Sequence, residues 1–202
     1  MHSTTHLKEV PDDKIIWQRF LAGEVEAFDH LMTLHFRTLF RYGSKFSRDK
    51  EFVKDNIQDL FLILWERRQN LSHDIAVKPY LMASLRRLMH RSAMSKPLLS
   101  DNSVEEINGN FEIEFSVEEE YIENESSLVV TQKLKKLLDE LPLRQKEVVY
   151  LKYFQEMDRS QISEVMNISP QTVSNLLQIA IKQLKKHWKS ELFIFFLIHF
   201  II

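Results

Sequence analysis

The stretch MDRSQISEVMNISPQTVSNLLQIAIKQLKK, Met157 to Lys186, decides how the whole chain reads. Asp158 with Gln161 three residues on is a capping-box spacing, opening a short helix that turns Ile162, Val165 and Met166 inward. Asn167 stands where a tight turn needs a left-handed residue, and Asn tolerates that conformation best after glycine. Ser169 caps the next helix and Pro170 takes its first position. Val173, Leu176, Leu177, Ala180, Ile181 and Leu184 then recur at spacings of three and four, one continuous apolar stripe. The opposite face carries Gln171, Thr172, Ser174, Asn175, Gln178, Lys182 and Lys185. A short helix, a turn and an amphipathic helix with a polar outer face suit a reader of the DNA major groove. Gln and Asn match adenine edges, Ser and Thr pair with either partner, and lysines neutralise phosphates. Pattern alone leaves one alternative, a helical hairpin in a bundle with a solvated face.

Upstream of this segment the helical period continues. Val129, Leu134, Leu137, Leu138 and Leu141 form one stripe, and Pro142 opens a helix with Val148, Val149, Leu151 and Tyr153. At the other end of the chain, Asp12 and Asp13 open a helix carrying Ile16, Trp17, Phe20 and Leu21. A second helix turns Phe28, Leu31, Met32, His35, Phe36, Leu39 and Phe40 to one side and stops at Gly43. A third runs from about Lys50 to Arg68, and Pro79 opens a fourth with Leu81, Leu85 and Leu88. The expected fold is all-α, two small helical domains over 11–94 and 130–190, with tails at 1–10 and 191–202. The segment between, 95–129, has no sustained period and reads as an acidic, mostly flexible linker; the alternation Phe111, Ile113, Phe115 would suit a short strand standing alone, and the few apolar residues of the linker are able to dock elsewhere.

Charge follows the same division. The net charge of −2 hides +3 over residues 1–94, −9 over 95–127 and +5 over 128–189, with Glu191 supplying the last negative charge. Two basic blocks around an acidic tether point to a polyanionic partner, or to a merely solvated linker. With 3 glycines and no cysteine, the chain cannot write a P-loop or a dinucleotide fingerprint and holds no thiolate metal site. No metal-ligand motif, paired carboxylates or nucleophile constellation emerges, so neither an enzyme nor a cofactor or small-molecule substrate is expected. Absent cysteines suit a reducing cytoplasm, and the N-terminus has no apolar run of the signal-peptide kind. The stretch LFIFFLIHFII, Leu192 to Ile202, would reach roughly 17 Å as a helix, short of a bilayer core of about 30 Å.

Both ends together resemble the extracytoplasmic-function group of bacterial RNA polymerase sigma factors. Leu141 to Lys186 is similar to the family's region 4, which binds the −35 promoter element and the polymerase β flap. VKDNIQDLFLILWERR, Val53 to Arg68, resembles region 2.2, and VKPYLMASLRRLMHR, Val77 to Arg91, the region that follows it. The resemblance implies a non-catalytic cytoplasmic protein that joins core RNA polymerase and directs initiation at promoter DNA. It further implies an anti-sigma partner, membrane-bound in the subgroup the sequence is nearest.

Carried over by position, Asp55, Gln58, Asp59, Leu62 and Trp65 would bind the polymerase β′ clamp, with core packing the other reading of Leu62 and Trp65. Asn70, Lys78, Arg86, Arg87 and Arg91 would serve the −10 element. Gln171, Thr172, Ser174, Asn175, Gln178 and Lys182 would read the −35 element. The sequence departs from the family at Asn167, which replaces a turn glycine, and on the recognition face, which has no arginine beyond Arg159. The linker would thread the polymerase's nucleic-acid channel or fold back over the basic domains and mask them. A helix-turn-helix regulator acting without polymerase, and a helical adaptor protein, are the rival classes.

Overall fold

A computed structural model describes residues 13–95, 111–113 and 125–187. Among these residues the fold is all-helical, with eight α-helices. The tails, most of the linker and Asp12 lie outside them.

The first module is built from α1 (Asp13–Leu21), α2 (Val25–Gly43), α3 (Lys50–Arg67) and α4 (Val77–Ser95). Each of α1, α3 and α4 packs on α2, and α3 packs on α4. Asp49 caps α3, its carboxylate accepting from the Glu51 and Phe52 N–H groups. The core is rich in aromatic side chains. Trp17 is fully buried, packs at a tilt against Phe20 and edge-on against Tyr80, and donates its indole N–H to the Ser72 carbonyl at 3.0 Å. That bond ties the loop before α4 to the first helix and satisfies a buried donor. Gly43, the last residue of α2, sits where a Cβ would fall 2.7 Å from Val53 Cγ1. Only glycine lets α2 and α3 approach this closely.

The fourth helix corrects one expectation. It begins at Val77, not at Pro79, as the Tyr80 N–H bonded to the Ala76 carbonyl shows. Pro79 is third in the helix, where the missing N–H would have had no intrahelical acceptor.

The second module comprises α5 (Glu125–Asp139), α6 (Leu143–Val149), α7 (Arg159–Met166) and α8 (Pro170–His187). The α5 helix reaches back into the stretch expected to be linker. Tyr150–Phe154 continues α6 as one wide turn of π type. Leu138, Leu151, Ile162, Val173, Ala180 and Leu184 close the core.

The modules pack against each other. The main contact is α4 on α7. Glu147 is buried in this seam, held by the Tyr42 hydroxyl at 2.7 Å and by Arg86 Nε at 2.8 Å. Lys78 Nζ donates to the Gln155 carbonyl at 3.0 Å. Residues 111–113 lie over one end of the seam. Phe111 and Ile113 are buried, and the Glu112 N–H donates to the Lys45 carbonyl at 3.0 Å. The apolar linker residues thus have a docking place on the helices.

Candidate nucleic-acid interface

The helix-turn-helix forms as its sequence dictates. Asp158 and Gln161 make both halves of the capping box, each side chain bonded to the other's backbone N–H at 2.9 Å. Asn167 takes the left-handed conformation at φ 51°, ending α7. Ser169 Oγ accepts the Thr172 N–H at 3.1 Å and shares a hydroxyl bond with Thr172 at 2.8 Å. Three local devices therefore set the angle at which α8 leaves α7.

On α8, Gln171, Asn175, Gln178 and Lys182 are exposed, and Thr172 and Ser174 are half-exposed. Gln171 Nε2 donates to Asn175 Oδ1 at 3.1 Å, one turn apart. This leaves Gln171 Oε1 as an acceptor and the Asn175 amide as a donor. Such a pair matches the acceptor and donor that adenine shows in the major groove. Ser174 Oγ is turned back to the Pro170 carbonyl at 3.2 Å. Two further residues join this face. Arg159 from α7 reaches within 3.5 Å of Ser174 Oγ, and Ile179 is 53% exposed. Arg159 lies 15 residues before Ser174, so no helical period could have linked them. Ile179 breaks the polar pattern and was the one visible signal.

The α3 candidates share a surface. Asp55, Gln58, Asp59 and Leu62 all face outward, Leu62 at 58% exposure. The exposed leucine lies among acids, a small apolar spot with an acidic rim. Trp65 does not join them as an open anchor. Its ring packs 5.0 Å from Phe28 and 6.3 Å from Phe20, with the Arg68 guanidinium 4.3 Å above it. Packing on the core is what the structure gives this residue.

The five −10 candidates separate into two groups. Asn70, Arg87 and Arg91 are exposed. Arg67, Arg87 and Arg91 rim a groove of about 460 Å³ between α3 and α4, floored by Leu60, Leu64 and Leu88. Apolar walls between guanidinium groups suit bases and phosphates of a single strand. Lys78 and Arg86 face the seam instead. Burial works against the Arg86 charge, but Glu147 and Tyr42 more than offset it, and the guanidinium is held more firmly protonated. Burial lowers the Lys78 ammonium, against Glu156 and Asp13. Burial, reinforced by Glu147, pushes the Tyr42 hydroxyl well above its ordinary value, so it stays a donor.

No helix among the described residues is long and apolar enough to cross a membrane. Comparison with known proteins identifies the second module. Residues 131–184 match the family model described as Sigma-70, region 4. No curated protein matches the chain in sequence. Two solved structures share its fold across both modules. One is CnrH in complex with the cytosolic domain of CnrY, with a TM-score of 0.55 and 17% identity over 86% of this chain and 95% of that one. The other is the sigma factor RpoE in complex with the anti-sigma factor NepR from Bartonella quintana. Its TM-score is 0.56, with 17% identity over 81% of this chain and 97% of that one.

Proposed function

We propose that this chain, which carries a sigma-70 region 4 domain behind a second helical module, is an extracytoplasmic-function-type sigma factor: a cytoplasmic subunit that lends core RNA polymerase its promoter choice. The observation that carries the reading is the region 4 match falling on a complete helix-turn-helix whose α8 presents Gln171, Asn175, Gln178 and Lys182 outward. The shared two-module fold supports it.

In this reading α8 enters the major groove of the −35 element. Gln171 and Asn175 read bases, while Lys182 and Arg159 meet phosphates. Thr172, Ser174 and Gln178 complete the contact. The first module docks on the β′ clamp through the outward face of α3, with Leu62 as anchor among Asp55, Gln58 and Asp59. Trp65 supports that face from beneath. Asn70, Arg87 and Arg91, later joined by Lys78 and Arg86, hold the opened −10 strand. The protein performs no bond chemistry; the polymerase does. An anti-sigma factor, membrane-bound in the type the sequence resembles, is the proposed regulator. Both similar structures carry a bound regulator or partner of their own.

Pull-down with purified core RNA polymerase tests the reading. The parent chain is expected to be retained. Leu62→Asp should lose at least about tenfold in affinity, as central anchors do, with an unchanged melting curve. Failure of the folded parent chain to bind core polymerase would overturn the proposal.

A further inference from the structure

We infer that residues 111–113 are a latch, fastening the two modules together in the free chain and keeping Lys78 and Arg86 from nucleic acid until the latch lets go; this rests on the sigma-factor reading and adds a regulatory step to it.

The tripeptide touches both modules at once. The Phe111 ring lies 5.0 Å from Phe46 and 6.4 Å from Tyr42 in the first module, and 5.6 Å from Tyr150 in the second. All three of these ring contacts are edge-on, a favoured aromatic geometry. Phe111 is 2% exposed and Ile113 1% exposed. Glu112 points the other way and pairs with Arg48 Nη2 at 2.6 Å. Alternation therefore buries two apolar side chains and leaves the acid outside on a basic partner.

Beneath the latch, Tyr42 stacks on Tyr150 across the seam at 6.2 Å with an interplanar angle of 9°. The Tyr42 hydroxyl then reaches Glu147, which also receives the Arg86 fork, Nε at 2.8 Å and Nη2 at 3.2 Å. A guanidinium fork of this kind fits a carboxylate or a phosphate equally well. Glu147 thus occupies the edge of Arg86 that a DNA phosphate would take. Lys78 is engaged similarly, by the Gln155 carbonyl. Two of the four cations proposed for the −10 strand are consequently spent inside the closed chain.

The latch is also the right size to release. Its apolar grip is one Phe and one Ile, so a large surface such as a polymerase can displace it.

The test uses the full chain, which has no cysteine and so accepts a unique dye pair at Asp29→Cys in α2 and Lys186→Cys in α8. Energy transfer between the dyes is read beside affinity for a mixed-sequence single-stranded DNA and association with core polymerase. Phe111→Ser is expected to lower transfer and to tighten DNA binding about tenfold or more, given the apolar surface it uncovers. Phe111→Leu should stay near the parent. Glu147→Gln, which leaves the latch in place but weakens the hold on Arg86, should give an intermediate result. Transfer unchanged in Phe111→Ser, or lowered transfer with DNA affinity unchanged, would overturn the latch. If every variant joins core polymerase in those cases, the sigma-factor reading survives. If the modules separate and DNA binding rises but no form joins core polymerase, the latch stands and that reading falls.

Discussion

Arg86 of α4 and Glu147 of α6 meet across the seam as a forked ion pair, Nε to Oε1 at 2.8 Å and Nη2 to Oε2 at 3.2 Å. The Glu147 side chain is 4% exposed and that of Arg86 25%. Breaking such a pair from one side strands a charge that was desolvated on folding. Glu147→Ala should therefore cost about 3 kcal/mol, the lower end of the range for buried pairs because Arg86 keeps some solvent. Urea unfolding of Glu147→Ala, Arg86→Ala and the double variant would show it. A coupling energy near zero in this cycle would mean the pair contributes no joint stability.

Glu156 adopts φ 56°, a left-handed backbone that a side chain disfavours. The strain is about 1–2 kcal/mol. Glu156→Gly removes it and returns part as added freedom of the unfolded chain, about 0.4–1 kcal/mol. A net gain of roughly 0.5 kcal/mol is expected, read as a higher urea midpoint at constant slope. Loss of stability would contradict this account of the turn.

Asp158→Ala deletes one half of the capping box of α7. It should cost about 1 kcal/mol and loosen the angle between α7 and α8. Affinity for promoter DNA within the polymerase complex should fall alongside the melting temperature. An Asp158→Asn variant should retain most of both, since its side-chain oxygen still accepts.

Much of this architecture was legible in the chain, and the seam was not. The capping box, Asn167 and Pro170 act within a few residues, so their signals are local. The apolar stripes of the helices are local too, and they placed both helical modules. Glu147 is 61 residues from Arg86 and 105 from Tyr42. In sequence it is a lone acid beside Val148 and Val149, with no hint of the partners that justify its burial. Lys78 and Arg86 show the same blindness from the other side. Their helical spacing announces a basic face but not that the second module covers part of it. Trp65 was open to two readings, and the ring contacts with Phe28 and Phe20 select packing.

His35 is buried 3.4 Å from Asp13 Oδ1. Burial disfavours its imidazolium more than Asp13 favours it, and nearby Lys78 adds to the effect, so its pKa falls below the ordinary 6.5. In the window between the folded and unfolded values, the unfolded chain binds the proton that the fold refuses. Stability from this group is therefore full above about 6.5 and lost as pH falls below it. Thermal unfolding between about pH 7 and 5 should show the decline, and His35→Gln should flatten it. An identical pH slope in the variant would assign the decline elsewhere.

The central claim is that the two modules give RNA polymerase a choice of start sites. Transcription in vitro with core polymerase and a library of promoter fragments measures it most directly. The account predicts start sites that appear only when the chain is added and share two sequence elements, with Gln171→Ala and Asn175→Ala weakening dependence on the upstream one. A folded chain that yields no initiation above core polymerase alone would contradict it.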